Sequence, residues 1–323
     1  MVEDRGIHRT SERTATGRQI HLLRTAVGSV IANALDDPEV IEVLLNPDGS
    51  LWIDRVGSGR SATGIQLSSH AAERLIRLVA IAMGVEVHSD APSVCVDLLE
   101  RGERFEGLLP PIVRAPMFAI RKRAIGVIRL EHYVREQILT QAQAEFLRQA
   151  VRTRLNILIA GGPATGKTTL ANALLREVAM TKDRVMVLED AVELQCTAEN
   201  HIPLRTQRGS VSMAELVRSA LQLRPDRIVV GEIRGIEALD LLNAWGADHP
   251  GGIATIHAGS ALGTLERLEQ LIQQAVAITP RSLIARTIGV VVYIAGYGRV
   301  RRIEDLVRVG VPTAKGYRLK RIS

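Results

Sequence analysis

The stretch Leu155-Asn156-Ile157-Leu158-Ile159-Ala160-Gly161-Gly162-Pro163-Ala164-Thr165-Gly166-Lys167-Thr168-Thr169-Leu170-Ala171-Asn172-Ala173-Leu174-Leu175 joins an apolar run, a glycine-rich turn and a helix-forming segment without interruption. Gly161 to Thr168 fits the spacing G-x-x-x-x-G-K-[ST], and the apolar run and the Leu/Ala-rich run supply the strand and helix that give this spacing meaning. Average residue usage would produce the four fixed positions in a chain of this length about once in a hundred sequences. Glycines at 161, 162 and 166 let the backbone bend unobstructed, so that successive N–H groups point into one concavity at a helix N-terminus, where an anion is favoured. Gly161, Gly162, Pro163, Ala164, Thr165, Gly166, Lys167, Thr168 and Thr169 are therefore the candidate cradle for the phosphates of ATP. Lys167 is expected to reach the β- and γ-phosphates, and the Thr168 hydroxyl to ligate Mg2+. The alternative is a glycine turn that merely joins a strand to a helix.

C-terminal to this stretch, strands and helices alternate. Arg184 to Leu188 reads as a buried strand ending in Glu189-Asp190, and Ser212 to Leu223 as a helix. Arg227 to Val230 is a second apolar strand ending in Gly231-Glu232-Ile233-Arg234-Gly235. Ile236 to Ala247 is helical, and Gly252 to Ile256 is a strand leading into His257. The alternation predicts a parallel sheet covered on both faces. Ligands of such sheets gather at the carboxyl ends of the strands, where Glu189, Glu232 and His257 all fall. Glu232 can accept a proton from an attacking water or orient it, provided its strand neighbours the phosphate loop; otherwise such a residue is commonly a helix N-cap. Glu189, backed by Asp190 and Glu193, holds the metal through water or supports Glu232. His257 senses the γ-phosphate by hydrogen bonding or is a satisfied structural histidine.

N-terminal to the stretch, residues from about Arg9 to Leu35 carry helical spacing and stop before Asp36-Asp37-Pro38. Val40 to Leu45 and Ser50 to Val56, joined by Asn46-Pro47-Asp48-Gly49, read as a hairpin. Ser69 to Met83 reads as a helix with Ser69 and Glu73 in its first turn. Strands near Ser93 to Leu99, Arg104 to Leu109 and Met117 to Lys122 complete an α+β domain of about 125 residues, with Ala124 to Leu130 as linker and helices over Glu131 to Gln137 and Thr140 to Arg152 beyond it.

The 323 residues are 46% hydrophobic and 24% charged, an ordinary globular composition that suffices for two cores. No apolar run approaches the length of a membrane span, and Met1 to Arg18 is too charged for a secretory signal, which implies a cytoplasmic chain. Cys95 and Cys196 are too few for a disulfide framework and are expected to be buried small hydrophobes. The formal net charge of +6 is concentrated in Gly298 to Ser323, where eight Lys or Arg face Glu304 and Asp305. That segment meets anionic lipid, nucleic acid or an acidic partner, or else it is the solvated face of a terminal hairpin.

Taken together these motifs resemble the secretion and type IV pilus traffic ATPases, most closely the TrbB-type conjugal transfer ATPases of type IV secretion systems. The family's Walker A is similar to residues 161–169, its acidic box to 187–194, its Walker B to 228–235 and its histidine box to 254–260; the resemblance covers nearly the whole chain. It implies an α/β protein with a RecA-like P-loop ATPase domain over 126–323, preceded by a smaller α+β, PAS-like domain over 1–125. It further implies Mg2+-dependent hydrolysis of ATP to ADP and phosphate, powering conjugative transfer or type IV secretion through pilus assembly or substrate translocation. The implied assembly is a hexameric ring, peripherally attached at the inner membrane, with other components of the apparatus as partners. By the same resemblance Arg104 and Arg121, with Arg123 less firmly, supply guanidinium groups to the phosphates. Two departures stand out: the strand-end Asp of an ordinary Walker B is missing, Asp226 lying at the wrong end, and there is no tetracysteine zinc module. A pilus retraction or extension motor remains the alternative, as do a RecA-like nucleic-acid translocase and a scaffold with negligible turnover. Aromatic residues at 3% leave few platforms for stacking bases, which argues against direct nucleic-acid binding.

Overall fold

A computed structural model of the chain describes residues 28–56, 58–98, 102–122, 128–207, 209–313 and 316–323, with the side chain of Arg299 excepted. The chain divides into two compact units, Met1–Ile125 and Gly126–Ser323.

In the first unit helix α1 spans residues 28–36; the earlier part of the expected N-terminal helix lies outside the described residues. Strands β1 (Val40–Leu45) and β2 (Ser50–Arg55) form the expected hairpin. Its turn is fixed by Asp48, whose carboxylate accepts from the Ser50 N–H at 2.9 Å, and by Gly49 at φ +82°, where a Cβ would fall 2.5 Å from the Leu67 carbonyl oxygen. Strand β3 (Gly59–Gln66) was not anticipated: it is polar and largely exposed, because as the outermost strand it needs little apolar burial. Helix α2 (Ser69–Ala82) buries Leu75, Ile76 and Val79. Its N-cap is Ser68, which accepts from the Ala71 N–H at 3.2 Å, rather than the expected Ser69. Strands β4 (Ser93–Asp97), β5 (Arg104–Leu108) and β6 (Met117–Arg121) complete a six-stranded sheet of order β3-β2-β1-β6-β5-β4. Strand β4 lies at an edge, and its alternation buries Val94 and leaves Cys95 exposed, contrary to the expectation of a buried thiol.

The second unit opens with α3 (Leu130–Arg135) and α4 (Gln141–Arg152). Thr140 and Gln143 form a reciprocal capping box that starts α4. Leu130, expected in the linker, is the first residue of α3, and residues 123–127 lie outside the described residues. An eight-stranded sheet follows: β7 (Asn156–Gly161), β8 (Val185–Glu189), β9 (His201–Arg205), β10 (Arg227–Ile233), β11 (Ile253–His257), β12 (Ile288–Ala295), β13 (Arg302–Thr313) and β14 (Gly316–Arg321), in the order β14-β13-β12-β7-β11-β10-β8-β9. From β12 to β9 neighbours are parallel, while β13 and β14 extend the sheet as an antiparallel hairpin. Strand β9, an exposed edge like β3, was likewise not anticipated.

Strand β7 is buried along its whole length because both faces are covered. Ile157 and Ile159 pack with α4 and α5 (Lys167–Val178), whereas Leu158 and Ala160 pack with α6 (Met213–Leu221), α7 (Glu237–Gly246), α8 (Ala261–Ile272) and α9 (Arg281–Thr287). Arg227, only 1% exposed, anchors the opposite end of β10: it donates to Asp183 at 2.6 Å and to the carbonyls of Gly251 and Val151 at 3.0 and 2.9 Å. Asp226 accepts from the Arg184 N–H at 2.7 Å at that same end.

Candidate functional site

The turn from β7 to α5 owes its shape to two glycines. A Cβ at Gly161 would meet the Ile294 carbonyl oxygen at 2.5 Å, and Gly166, the N-cap of α5, sits at φ +99°. Gly162 differs from expectation, since a Cβ there would find its nearest neighbours at 3.7 Å. A second left-handed position falls instead on Ala164, at φ +56°. Pro163 and Ala164 form the exposed rim, and Thr165 is buried with its hydroxyl donating to the Gly162 carbonyl at 3.0 Å. The Lys167 side chain is 7% exposed and folds under the loop, where its Nζ donates to the carbonyls of Gly161 at 3.1 Å and Gly162 at 2.8 Å.

The strand of Glu232 is not next to β7, because β11 lies between β10 and β7. His257, the Cα partner of Gly161 at the end of β11, spans that gap. Its Nδ1 is 3.4 Å from Lys167 Nζ, and its Nε2 is 2.6 Å from Glu232 Oε1. Glu232 also lies inside β10 rather than beyond it. From Val230 to Ile233 the strand takes three steps while β11 takes two, and this bulge re-aims the carboxylate. Thr255 Oγ1 holds the bulge by donating to the Gly231 carbonyl at 2.6 Å. Glu232 Oε2 accepts from Arg234 Nε at 2.8 Å and also from Nη2 of the same guanidinium. Oε1 is different: the close approach of His257 Nε2 falls outside hydrogen-bond geometry, so Oε1 is a buried acceptor without a hydrogen bond. Glu232 is not the cap of α7, whose N-cap is Ile236; Glu237, the first helical residue, uses Oε1 to accept from the preceding N–H groups of Arg234 and Gly235 at 2.6 and 2.7 Å. Burial, then the Lys167 ammonium, hold the His257 imidazole below its ordinary pKa; Glu232 opposes this, while Arg234 and Arg267 add to it.

Glu189, 4% exposed at the end of β8, uses Oε1 to accept from the N–H groups of Glu193 and Leu194 at 2.9 and 2.7 Å. Burial raises its pKa, against those two hydrogen bonds. The carboxylate thereby brackets the loop that carries Glu193, and the Thr168 hydroxyl donates to Glu193 Oε2 at 3.2 Å. Thr168 and Glu193 together offer the hard oxygen donors that suit Mg2+. Among the described residues there is no cluster of three or more His, Cys, Asp or Glu side chains able to hold a metal alone.

Arg104 and Arg121 belong to the first unit, where they are direct cross-strand partners. They form part of a charged row, Asp97-Arg104-Arg121-Glu42-Asp54-Arg60, that crosses all six strands at one register. Arg104 lies 3.9 Å from Asp97 and Arg121 lies 3.6 Å from Glu42. Arg123 falls outside the described residues.

Sequence reasoning passed over Arg234, although i, i+2 spacing on a strand puts it on the same side as Glu232. Arg301, expected with Arg299 and Arg302 to meet anionic lipid or a partner, packs against Gly166, 135 residues away in the sequence: a Cβ on Gly166 would lie 3.2 Å from the Arg301 guanidinium carbon. The basic C-terminal segment is thus not one solvated patch. Arg302 and Arg321, both exposed, pair with Glu304 and Asp305 at 2.6 and 3.3 Å, and Arg308, Arg318 and Lys320 are exposed on the same β13–β14 hairpin.

The family described as type II/IV secretion system protein matches residues 107–293. A probable conjugal transfer protein TrbB of Sinorhizobium fredii (strain NBRC 101917 / NGR234) is 47% identical over 294 residues, 90% of either chain. The type IV secretion system protein VirB11 of Brucella suis biovar 1 (strain 1330) is 32% identical over 274 residues, 74% of this chain and 75% of that protein. Among solved structures, the pilus retraction motor PilT with bound ADP has a TM-score of 0.59 at 17% identity, covering 90% of this chain and 80% of that one, a likeness of fold.

Proposed function

The chain belongs to the type II/IV secretion system protein family, and from that premise we propose that it is an ATPase that powers conjugative transfer or type IV secretion. The observation that carries this reading is the relay Lys167-His257-Glu232-Arg234 across the ends of three adjacent strands, β7, β11 and β10. ATP is held by the loop 161–169. Lys167 exchanges its bonds to the Gly161 and Gly162 carbonyls for the β- and γ-phosphates, so the ammonium is already in place and only its partners change. Glu232 is the base. Arg234 fixes one oxygen and leaves Oε1 as the acceptor for a proton from the attacking water, while His257, kept neutral by burial and by Lys167, contacts the γ-phosphate. Thr168 and Glu193 would hold Mg2+, which when bound neutralises charge on the phosphates. Glu189 keeps Glu193 in position, and Arg104 and Arg121 supply guanidinium groups to the phosphates in a hexameric ring.

Among the described residues no helix is long and apolar enough to cross a membrane. Peripheral contact with anionic lipid is assigned to Arg308, Arg318 and Lys320. Reversing these three to Glu is expected to abolish co-sedimentation with vesicles containing phosphatidylserine at low salt, each lost cation being worth about 1 kcal/mol, while leaving ATP turnover unchanged. Undiminished sedimentation would return the hairpin to a merely solvated face. The function itself is tested by Mg2+-dependent phosphate release measured alongside sedimentation: turnover per subunit rises as rings assemble, and a fully active monomer would end the ring-motor reading.

A further inference from the structure

The groups assigned so far lie to one side of the phosphate loop, toward β11 and β10. On the other side of β7 runs β12, and the chain leaving it doubles back at Gly296 into a single 3-10 turn, Gly298–Val300. Gly296 has φ +78°, and a Cβ there would fall 2.3 Å from the Val300 carbonyl oxygen, so this reversal requires glycine. The turn lays two side chains against the loop. The Arg301 guanidinium stands 3.2 to 3.4 Å from where a Cβ on Gly166 would be, and the Tyr297 hydroxyl is 3.7 Å from the equivalent point on Gly162.

Two polar atoms in this corner are unsatisfied. Arg301 Nε is buried without a hydrogen-bond partner, and so is the hydroxyl of Tyr133 on α3. The two side chains are electrostatic neighbours: burial pushes the Tyr133 phenol far up, and the Arg301 charge opposes that shift. A buried donor on a permanently charged guanidinium is costly unless something accepts from it, and a guanidinium suits phosphate oxygens because its planar fork presents several donors at once.

The direction of a bound nucleotide follows from the sheet order. Its reacting end is fixed by Lys167, His257 and Glu232 on the β11 and β10 side, so the rest of the molecule leaves the loop on the opposite side, over the turn that follows β12. Resting on the ATP site proposed above, we propose that Arg301 is a nucleotide-binding residue supplied by the same subunit, donating to the α-phosphate, with Tyr297, 58% exposed, offering its ring to the adjoining nucleoside. This gives the conjunction of Gly296, Tyr297 and Arg301 a purpose, and it removes Arg301 from the lipid-facing charges of the C-terminal segment.

Two probes separate this inference from the reading it rests on: ADP, which carries an α-phosphate and a nucleoside, and inorganic phosphate, which fills a single phosphate position and lacks both. In hydrogen exchange on the wild-type protein, ADP should slow the amides of residues 161–169 and of 296–302, whereas inorganic phosphate should slow the first set only. By calorimetry, Arg301→Ala should weaken ADP about tenfold or more and inorganic phosphate less than about twofold, with partial recovery in Arg301→Lys. Lys167→Ala should lose both ligands. Absence of protection at 161–169 would overturn the ATP site itself. Protection at 161–169 with none at 296–302, or an ADP affinity unchanged in Arg301→Ala, would overturn the role of Arg301 alone. Should Arg301→Ala fail to fold, the wild-type exchange pattern decides.

Discussion

Two arrays of arginine and carboxylate groups sit on the two sheets, and they are built differently. Above the phosphate loop, Glu232 is 16% exposed, gripped by Arg234 and joined through His257 to Lys167. On the N-terminal sheet, Arg104 and Arg121 are 37% and 57% exposed and approach their carboxylates only to 3.9 and 3.6 Å. They also oppose each other directly across the ladder, where like charges repel. Exposed pairs of this quality contribute about 0 to 1 kcal/mol. The first array is therefore preassembled, whereas the second is loosely held and can give up its partners at little cost.

The comparison is broken most directly at the preassembled array. Lys167→Ala is expected to abolish turnover, because the cation meant for the β- and γ-phosphates is lost together with its bonds to the Gly161 and Gly162 carbonyls. Phosphate release and nucleotide affinity are to be measured separately, and activity within about twofold of wild type would remove the P-loop assignment. Glu232→Gln comes next. The amide retains the shape but not the basicity, so hydrolysis should slow by about two to four decades while ATP still binds. If hydrolysis persists, Glu189→Gln in the same assay decides whether the bracket residue is instead the base.

What was legible beforehand follows the same division. Strand β7, the loop and α5 could be read because a strand covered on both faces must be continuously apolar, and because the phosphate-binding spacing needs only local residues. Glu232 and His257 stand out in the sequence by their positions at strand ends. Their actual relation was not visible, since it depends on β11 separating β10 from β7 and on a bulge at Gly231 and Glu232, both products of pairing between distant segments. Strands β3 and β9 escaped notice because edge strands need no apolar alternation. Arg301 was taken for a member of a surface patch because nothing local distinguishes a guanidinium turned toward Gly166 from one turned toward water.

At the loosely held array smaller effects are expected. Arg121→Ala should lower turnover by roughly ten- to a thousandfold, through lost stabilisation of phosphate charge, while thermal stability changes little because the pair it breaks is exposed. Arg104→Ala should behave similarly, and relieving the repulsion between the two should offset part of its lost contact with Asp97. A thermal shift larger than about 4 °C would mean that the row is structural rather than held in reserve. Full activity in both variants would dissociate the N-terminal domain from catalysis.

The smallest effect expected is one of pH. The His257 pKa is lowered in the folded protein, first by burial and then by the Lys167 ammonium. As pH falls below the ordinary imidazole value of about 6.5, the unfolded chain therefore binds this proton before the folded one does. Stability from this residue must rise with pH through that window, be lost on acidification toward the folded pKa, and be insensitive to pH above it. His257→Gln should flatten the dependence of the melting temperature on pH just below about 6.5 by no more than about 2 °C, a modest figure because the ring is 47% exposed and solvent screens its neighbours. Lys167→Met should raise the imidazole midpoint followed by NMR part of the way toward its usual value, since burial remains, whereas Arg121→Ala should not move it. A midpoint indifferent to Lys167→Met would mean that the contact between Lys167 and His257 does not couple the loop to Glu232, and that the array above the phosphate loop is an accident of proximity rather than a preassembled site.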